Sequence, residues 1–334
     1  MRKLICIIFI NAGLGLAQTT MNPDLSVVGD LIIDDGELTT SGVELAIQGY
    51  VNPFARADVF LHKHAGEGAV ELEEAYLSIE RGLPLGLGLR SGCFRPDLGK
   101  INKEHMHTYA FIQAPGAVTA VLGDEMWSGT GLEVDVLLPL PWYSKLSAGG
   151  FANGIAHHHH EDGNEGELGE DHEHESEKSQ PAYNARWSHF VDLTPVAHLE
   201  MGVSHFIGTA DEGVRRLTGV DFKFRWRPDR YRSLTWQGEY FLVEADEPEP
   251  AHAVYTFANL QFSQVWNWGV VLDYHSDIEE ETHYSAGVFL GYSPVEESSV
   301  FRLAVTGVDQ GGEREVMVIG QIIWSLGPHK PHRF

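Results

Sequence analysis

Val220-Asp221-Phe222-Lys223-Phe224-Arg225-Trp226 alternates residue by residue. In an extended chain, Val220, Phe222, Phe224 and Trp226 fall on one face and Asp221, Lys223 and Arg225 on the other. A single strand of a soluble sandwich gives the same pattern, so repetition has to decide. Leu234 to Tyr240 repeats it, as do Gly269 to His275, Ser285 to Tyr292, Phe301 to Val308 and Val316 to Trp324. Nearer the start, Ala55, Ala57, Val59 and Leu61 alternate with Arg56, Asp58 and His62. Segments of about ten residues, apolar on one face and polar on the other, are the signature of an outer-membrane barrel.

The connections between these segments fall into two alternating sets. The short set carries Pro, Gly or Asn: Val51-Asn52-Pro53, Arg81 to Pro84, Pro139 to Pro141, Thr194-Pro195, Arg227-Pro228-Asp229, Trp266-Asn267-Trp268 and Ser293-Pro294. These read as periplasmic turns. The other set is longer or more acidic: Asp34 to Thr40, His64 to Gly68, Asp97 to Glu125, Gly154 to Pro181, Thr209 to Gly213, Glu244 to Ala251, Asp277 to Glu281 and Asp309 to Glu313. The fold class expected is all-β, a transmembrane antiparallel barrel of about 16 strands (about 14–18), within the even-numbered range of such barrels. Tyr50, Phe54, Trp142, Tyr143, Trp226, Tyr231, Trp266, Trp268 and Tyr292 gather beside the short turns, where an aromatic ring satisfies the water–lipid boundary.

One connection stands out. Arg95 to Gly131 reads RPDLGKINKEHMHTYAFIQAPGAVTAVLGDEMWSGTG, and loops beyond about 12–15 residues are usually functional. It is the third connection of the long set, and it is expected to fold into the lumen. Its residues Asp97, Lys100, Lys103, Glu104, His105 and His107 are the expected constriction. A surface loop resting on the rim is the plainer alternative. Lumen charges are expected at Arg56, Asp58, Glu74, Arg90, Asp221, Lys223, Arg225, Glu239 and Arg302, the cations largely paired with the acids.

Arg2 and Lys3 precede an apolar run from Leu4 to Leu16 and the small-residue site Gly15-Leu16-Ala17. That is the pattern of a signal peptide at 1–17, leaving 18–334 as the barrel. Removing Cys6 with it leaves Cys93 alone, so no internal disulfide is expected. The chain holds 23 basic and 48 acidic residues, a net charge of −25. Loss of Arg2 and Lys3 gives 21 − 48 = −27. That charge excludes a basic nucleic-acid footprint and favours contact with cations. No later run is apolar enough for a spanning helix, which needs about 20 residues.

The tract from Gly154 to Pro181 holds His157, His158, His159, His160, His172 and His174 among nine acidic residues, including Glu173 and Glu175. His-rich tracts suggest metal binding, and imidazole suits zinc, copper and nickel. With no cysteines and several glycines, a weak collector of zinc or another divalent transition metal is expected, not a four-ligand cage. The alternative is an acidic surface loop. His105 and His107 form a second candidate metal pair, whose rings share a face only if the backbone is extended. No cofactor is required, and neither a GxSxG elbow nor an HExxH helix points to catalysis.

Several segments recur in one order: Asn22-Pro23-Asp24-Leu25-Ser26-Val27, Val51-Asn52-Pro53-Phe54-Ala55-Arg56-Ala57-Asp58, Glu73-Glu74-Ala75-Tyr76 and Gly92-Cys93-Phe94-Arg95. Gly99-Lys100-Ile101-Asn102, His105-Met106-His107 and Leu137-Leu138-Pro139-Leu140-Pro141-Trp142 follow. Together they resemble a bacterial outer-membrane family often labelled zinc-regulated TonB-dependent outer membrane receptors and, more distantly, phosphate-selective porins. The resemblance implies a porin-like barrel. The chain departs from both labels. Its barrel pattern starts at about Leu25, leaving no room for the plug of a 22-stranded transporter, and its acidity runs against a ladder of lumenal Arg and Lys.

The expected function is passive passage of small solutes or ions across the outer membrane of a Gram-negative-type bacterium, without enzymatic activity. A plug-less metal-binding receptor or adhesin anchored by the barrel is the alternative. Expected partners are outer-membrane lipid, the barrel-assembly machinery and a small solute or metal ion; an oligomer is compatible with the pattern, nucleic acid is not.

Overall fold

The computed structural model describes residues 23–34, 36–64, 69–153, 181–210, 213–244, 251–276, 282–295 and 298–327. Sixteen antiparallel strands close into one barrel, each paired with its sequence neighbours, and the last pairs back onto the first. The first eight are β1 (Asp24–Asp34), β2 (Glu37–Asn52), β3 (Ala55–His64), β4 (Glu71–Ile79), β5 (Leu87–Phe94), β6 (Gly129–Leu137), β7 (Tyr143–Phe151) and β8 (Ala182–Thr194). The second eight are β9 (Ala197–Ala210), β10 (Gly213–Trp226), β11 (Ser233–Glu244), β12 (Ala251–Gln261), β13 (Trp266–Ser276), β14 (Thr282–Val295), β15 (Ser299–Gln310) and β16 (Glu313–Leu326). Closure removes every free strand edge, the condition for a sheet to sit in lipid.

The seam pairs Val27 with Leu326 and Asp34 with Ile319. The barrel therefore begins and ends where the alternation does. Two turns lie elsewhere than expected. Trp266-Asn267-Trp268 opens β13 and Ser293-Pro294 lies within β14, so the reversals fall at 262–265 and after Val295. Both expected turns are aromatic or Pro-containing strand ends, and a bulge between Tyr292 and Val295 lets Pro294 stay in β14 without breaking the ladder.

The outer face is apolar. Leu77, Leu132, Val134, Leu146, Val203, Val220, Leu272, Val288, Leu303 and Val318 are all exposed on it. Tyr50, Phe54, Trp142, Tyr143, Trp226, Trp266 and Trp268 ring one end, and Tyr183, Tyr240 and Tyr284 lie toward the other. An apolar band between aromatic girdles is the lipid-facing surface of an outer-membrane barrel. No described helix is long and apolar enough to cross a membrane, a test that does not bear on strands.

The buried core lies inside the wall, not between layers. Leu98, Ile101, Tyr109, Phe111, Ile112, Val118, Val121, Leu122 and Trp127 of the 95–128 segment pack with Phe94, Phe151, Phe206, Leu217, Phe241, Tyr255, Phe257, Phe289 and Ile319 of the strands. The long third loop is thus folded into the lumen.

Candidate functional site

Segment 95–128 leaves β5, crosses the lumen and returns to β6. Two side chains hold its limbs together. Asn102 accepts the Trp127 N–H at 2.9 Å and donates to the carbonyls of Trp127 (3.1 Å) and Pro96 (3.2 Å). Arg95 donates to the carbonyls of Glu104 and Glu125, both at 2.9 Å, and pairs with Glu73. Buried backbone carbonyls outside a ladder need such partners.

The loop then docks on the far wall. Gly99, Lys100 and Ile101 turn three successive N–H groups outward: Gly99 to Ser204 Oγ (3.1 Å), Lys100 to Glu239 Oε2 (2.8 Å) and Ile101 to Glu239 Oε1 (2.8 Å). Gly99 has φ +61°, and a Cβ there would sit 2.2 Å from Glu239 Oε2. Only glycine permits that approach. Glu239 also accepts the Tyr255 hydroxyl at 2.6 Å. Further along, the short helix α1 (Gly116–Leu122) packs against β12 and β13, and Phe111 meets Phe257 and Phe289 edge-on at 5.1 and 6.4 Å.

Asp97 forms a second joint. Its carboxylate lies 2.5 Å from Lys103 Nζ, 2.6 Å from Lys145 Nζ and 3.4 Å from Arg186 Nε, and it accepts the Ser147 hydroxyl at 3.1 Å. Asn184 holds its carbonyl and Glu133 its N–H. Burial would raise the Asp97 pKa, but Lys103, Lys145 and Arg186 outweigh it and hold the carboxyl well below the usual range. Arg186 is itself paired with Asp221 through two N–H groups, at 2.5 and 2.8 Å.

The third joint surrounds His105. Its Nδ1 lies 3.0 Å from Glu44 Oε2 and 3.3 Å from Glu73 Oε1, and its Nε2 lies 3.1 Å from Glu74 Oε1. His107 Nδ1 is 3.4 Å from the same Glu44 oxygen. Burial lowers the His105 pKa, yet Glu44, Glu73 and Glu74 together raise it well above the usual histidine range. Glu73 and Glu74 are neighbours on β4 that would ordinarily point to opposite faces. A bulge resolves this: Phe60 pairs with Glu74 and Leu61 with Leu72, so Glu73 is the extra residue and joins Glu74 in the lumen.

The residues expected at the constriction divide accordingly. Asp97 is buried in its joint, Lys103 serves that joint, Lys100 reaches Glu200, and Glu104 faces Lys223 at 3.6 Å. His105 and His107 meet Glu44 of β2. The expected lumen charges lie on the inner face: Arg56 pairs with Asp58, Arg90 with Glu133, and Arg302 reaches Gln321 at 2.9 Å. Lys223 and Arg225 alternate with Asp221 on the same face of β10, while Glu74 and Glu239 hold the loop. His157, His158, His159, His160, His172, Glu173, His174 and Glu175 lie outside the described residues, as does the expected signal peptide. A group of half-buried His64 with exposed Glu71 and Glu125 sits near the rim.

Sequence reasoning passed over Glu44, Glu73, Asn102, Arg186 and Ser204 as site residues. Alternation along the strands was the signal available for Glu44, Arg186 and Ser204, whereas Asn102 lies in the loop and Glu73 turns inward only through the bulge.

No known family profile matches the chain. The chain superposes on OprB of Pseudomonas putida with a TM-score of 0.62 at 11% identity, covering 91% of this chain and 94% of that one. The fold is that of the outer-membrane porins. An anion-selective porin of Comamonas acidovorans gives 0.58 at 9% identity, covering 91% and 98%. The outer membrane channel DcaP of Acinetobacter baumannii gives 0.57 at 12%, covering 91% and 96%. In sequence, 105 residues are 32% identical to an uncharacterized protein of Aquifex aeolicus (strain VF5). That match spans 31% of this chain and only 22% of the relative's length. Nothing in these likenesses supports the TonB-dependent label.

Proposed function

We propose that the protein is a passive outer-membrane channel for small solutes or ions, with its aperture set by segment 95–128. The observation carrying this is the set of bonds from Gly99, Lys100 and Ile101 to Ser204 and Glu239, which fixes a loop across the lumen. The channel porins among the structural relatives support passage, and they are the reason to assign no enzymatic activity. Lumenal charge is mostly cancelled in pairs, so the excess of acid over base favours cations. Lipid, the assembly machinery and other copies of the chain complete the partner set. The 154–181 tract adds a weak collector of zinc or a similar ion at the mouth, read from its histidines alone.

Recording from purified protein in planar bilayers tests the reading. Stepwise conductance with cation preference supports it; a barrel that inserts but conducts nothing overturns it. The apolar packing between loop and wall favours a second reading, a barrel that only anchors a receptor or adhesin, and that silent result is its expected outcome.

A further inference from the structure

We infer that the joint between the lumenal loop and the β2–β4 wall is a divalent transition-metal site, with His105, Glu44 and Glu73 as ligands and Glu74 orienting the imidazole. Nothing in the channel reading requires it, and it is independent of whether solute passes.

The donor atoms already lie at ligand spacing. One nitrogen of His105 and one oxygen each from Glu44 and Glu73 lie within 4.8 Å of one another. His105 Nδ1 is 3.0 Å from Glu44 and 3.3 Å from Glu73. Two ligands bound tetrahedrally to zinc at about 2.0–2.2 Å are themselves roughly 3.4 Å apart, so small side-chain shifts place an ion between them. His107 Nδ1, 3.4 Å from the same Glu44 oxygen, can share the remaining coordination with water.

The other side of the imidazole ring also has its partner. A metal-bound imidazole almost always donates its free N–H to a carboxylate, which fixes tautomer and orientation. His105 Nε2 lies 3.1 Å from Glu74 Oε1, so with Nδ1 on the metal its N–H has an acceptor in place. Phe60 packs against the imidazole with ring centroids 4.6 Å apart. The bulge at Glu73 is what supplies ligand and orienter from consecutive residues of one strand.

Charge points the same way. Glu44, Glu73 and Glu74 bring three negative charges, and Arg95, on Glu73, returns one. The balance is −3 + 1 = −2, which one divalent cation with neutral histidines cancels. A mixed imidazole–carboxylate set suits zinc, cobalt, nickel, manganese or iron(II) better than calcium or magnesium. The side chains of Glu44, Glu73, His105 and His107 keep 10, 15, 12 and 13% exposure, so an ion can reach them from the lumen.

The competing account is a metal-free joint in which protonated histidines bridge the carboxylates. To separate them, the full-length chain is prepared free of metal with the six tract histidines 157, 158, 159, 160, 172 and 174 changed to Ala, and with His64→Ala to remove the imidazole of the His64, Glu71 and Glu125 group, so that the lumenal joint is read without either competitor. Cobalt(II) is titrated by its visible absorption, and zinc by displacement of that cobalt. One equivalent with a cobalt spectrum showing nitrogen and oxygen ligation is expected. Affinity should fall at least tenfold in Glu44→Gln and in His105→Gln, and 10–100-fold in Glu74→Leu, which keeps every ligand but loses the acceptor of the N–H. No stoichiometric cobalt in the parent overturns the proposal, as does affinity unchanged in folded Glu44→Gln and His105→Gln. The parent titration decides by itself if a variant does not fold.

Discussion

Glu239 Oε1 on β11 accepts the backbone N–H of Ile101 at 2.8 Å, joining the lumenal loop to the wall opposite its own strands. The second oxygen takes the N–H of Lys100, so one wall carboxylate saturates a turn of loop backbone. Glu239 is 2% exposed, which strengthens both bonds relative to water. Glu239→Gln replaces one acceptor by an NH2 that faces an N–H. The change should cost about 1.5–3 kcal/mol, seen as a lower melting temperature and a noisier open-channel current. Gly99→Ala should give the same phenotype, because its Cβ would occupy the space of Glu239 Oε2. A quiet, wild-type current in both would show that the bolt does not hold the loop.

Deleting Lys100 to Leu122 removes α1 and the residues that fill the lumen against β12 and β13. The strands retain every pairing, so the barrel should still assemble. Single-channel conductance should rise several-fold in the deletion. Conductance equal to the parent would place the path of ions elsewhere.

Phe111 is 4% exposed and meets Phe257 and Phe289 edge-on. Phe111→Ala leaves a cavity between loop and wall and should cost about 3–5 kcal/mol. Calorimetry of the detergent-solubilised protein measures this. A loss below about 1 kcal/mol would mean that the loop repacks freely.

Asp97 provides the pH test. Its folded carboxyl is held well below the ordinary value by Lys103, Lys145 and Arg186, against about 3.9 when unfolded. A depressed carboxyl contributes stability that is complete above the unfolded pKa and is lost as pH falls through the folded one. The melting temperatures of wild type and Asp97→Asn should therefore differ by a constant amount from pH 7 to 5. The gap should narrow below about pH 4. Removing that charge also takes the carboxylate from Lys103 and Lys145 while Arg186 keeps Asp221, so Asp97→Asn should shift reversal potentials toward anions. A gap that closes between pH 7 and 5 would assign the effect to another group.

Wild-type reversal potentials across a salt gradient should indicate cation preference, stronger at 0.1 M than at 1 M salt. The Debye length falls over that range from about 10 Å to about 3 Å. Anion preference would give control of permeation to the lumenal arginines.

The sequence by itself determined the wall. The approximate strand count, the barrel ends, the order of turns and loops and the side faced by residues of a regular strand follow from a period of two interrupted by turns, which is a local property of an extended chain. Val220 to Trp226 could be assigned to its two faces without any partner in view. Length alone marked 95–128 as unusual. What that segment touches was decided only by closure of the barrel. Closure brings Glu239 and Ser204 to Gly99-Lys100-Ile101, more than a hundred residues away, and sets Arg186 beside Asp97. His105-Met106-His107 looked like an isolated pair because Glu44 lies on another strand and Glu73 faces inward only through a bulge. A bulge adds one residue to a strand and inverts the face of its neighbour, a change set by pairing across the sheet and invisible in either strand alone.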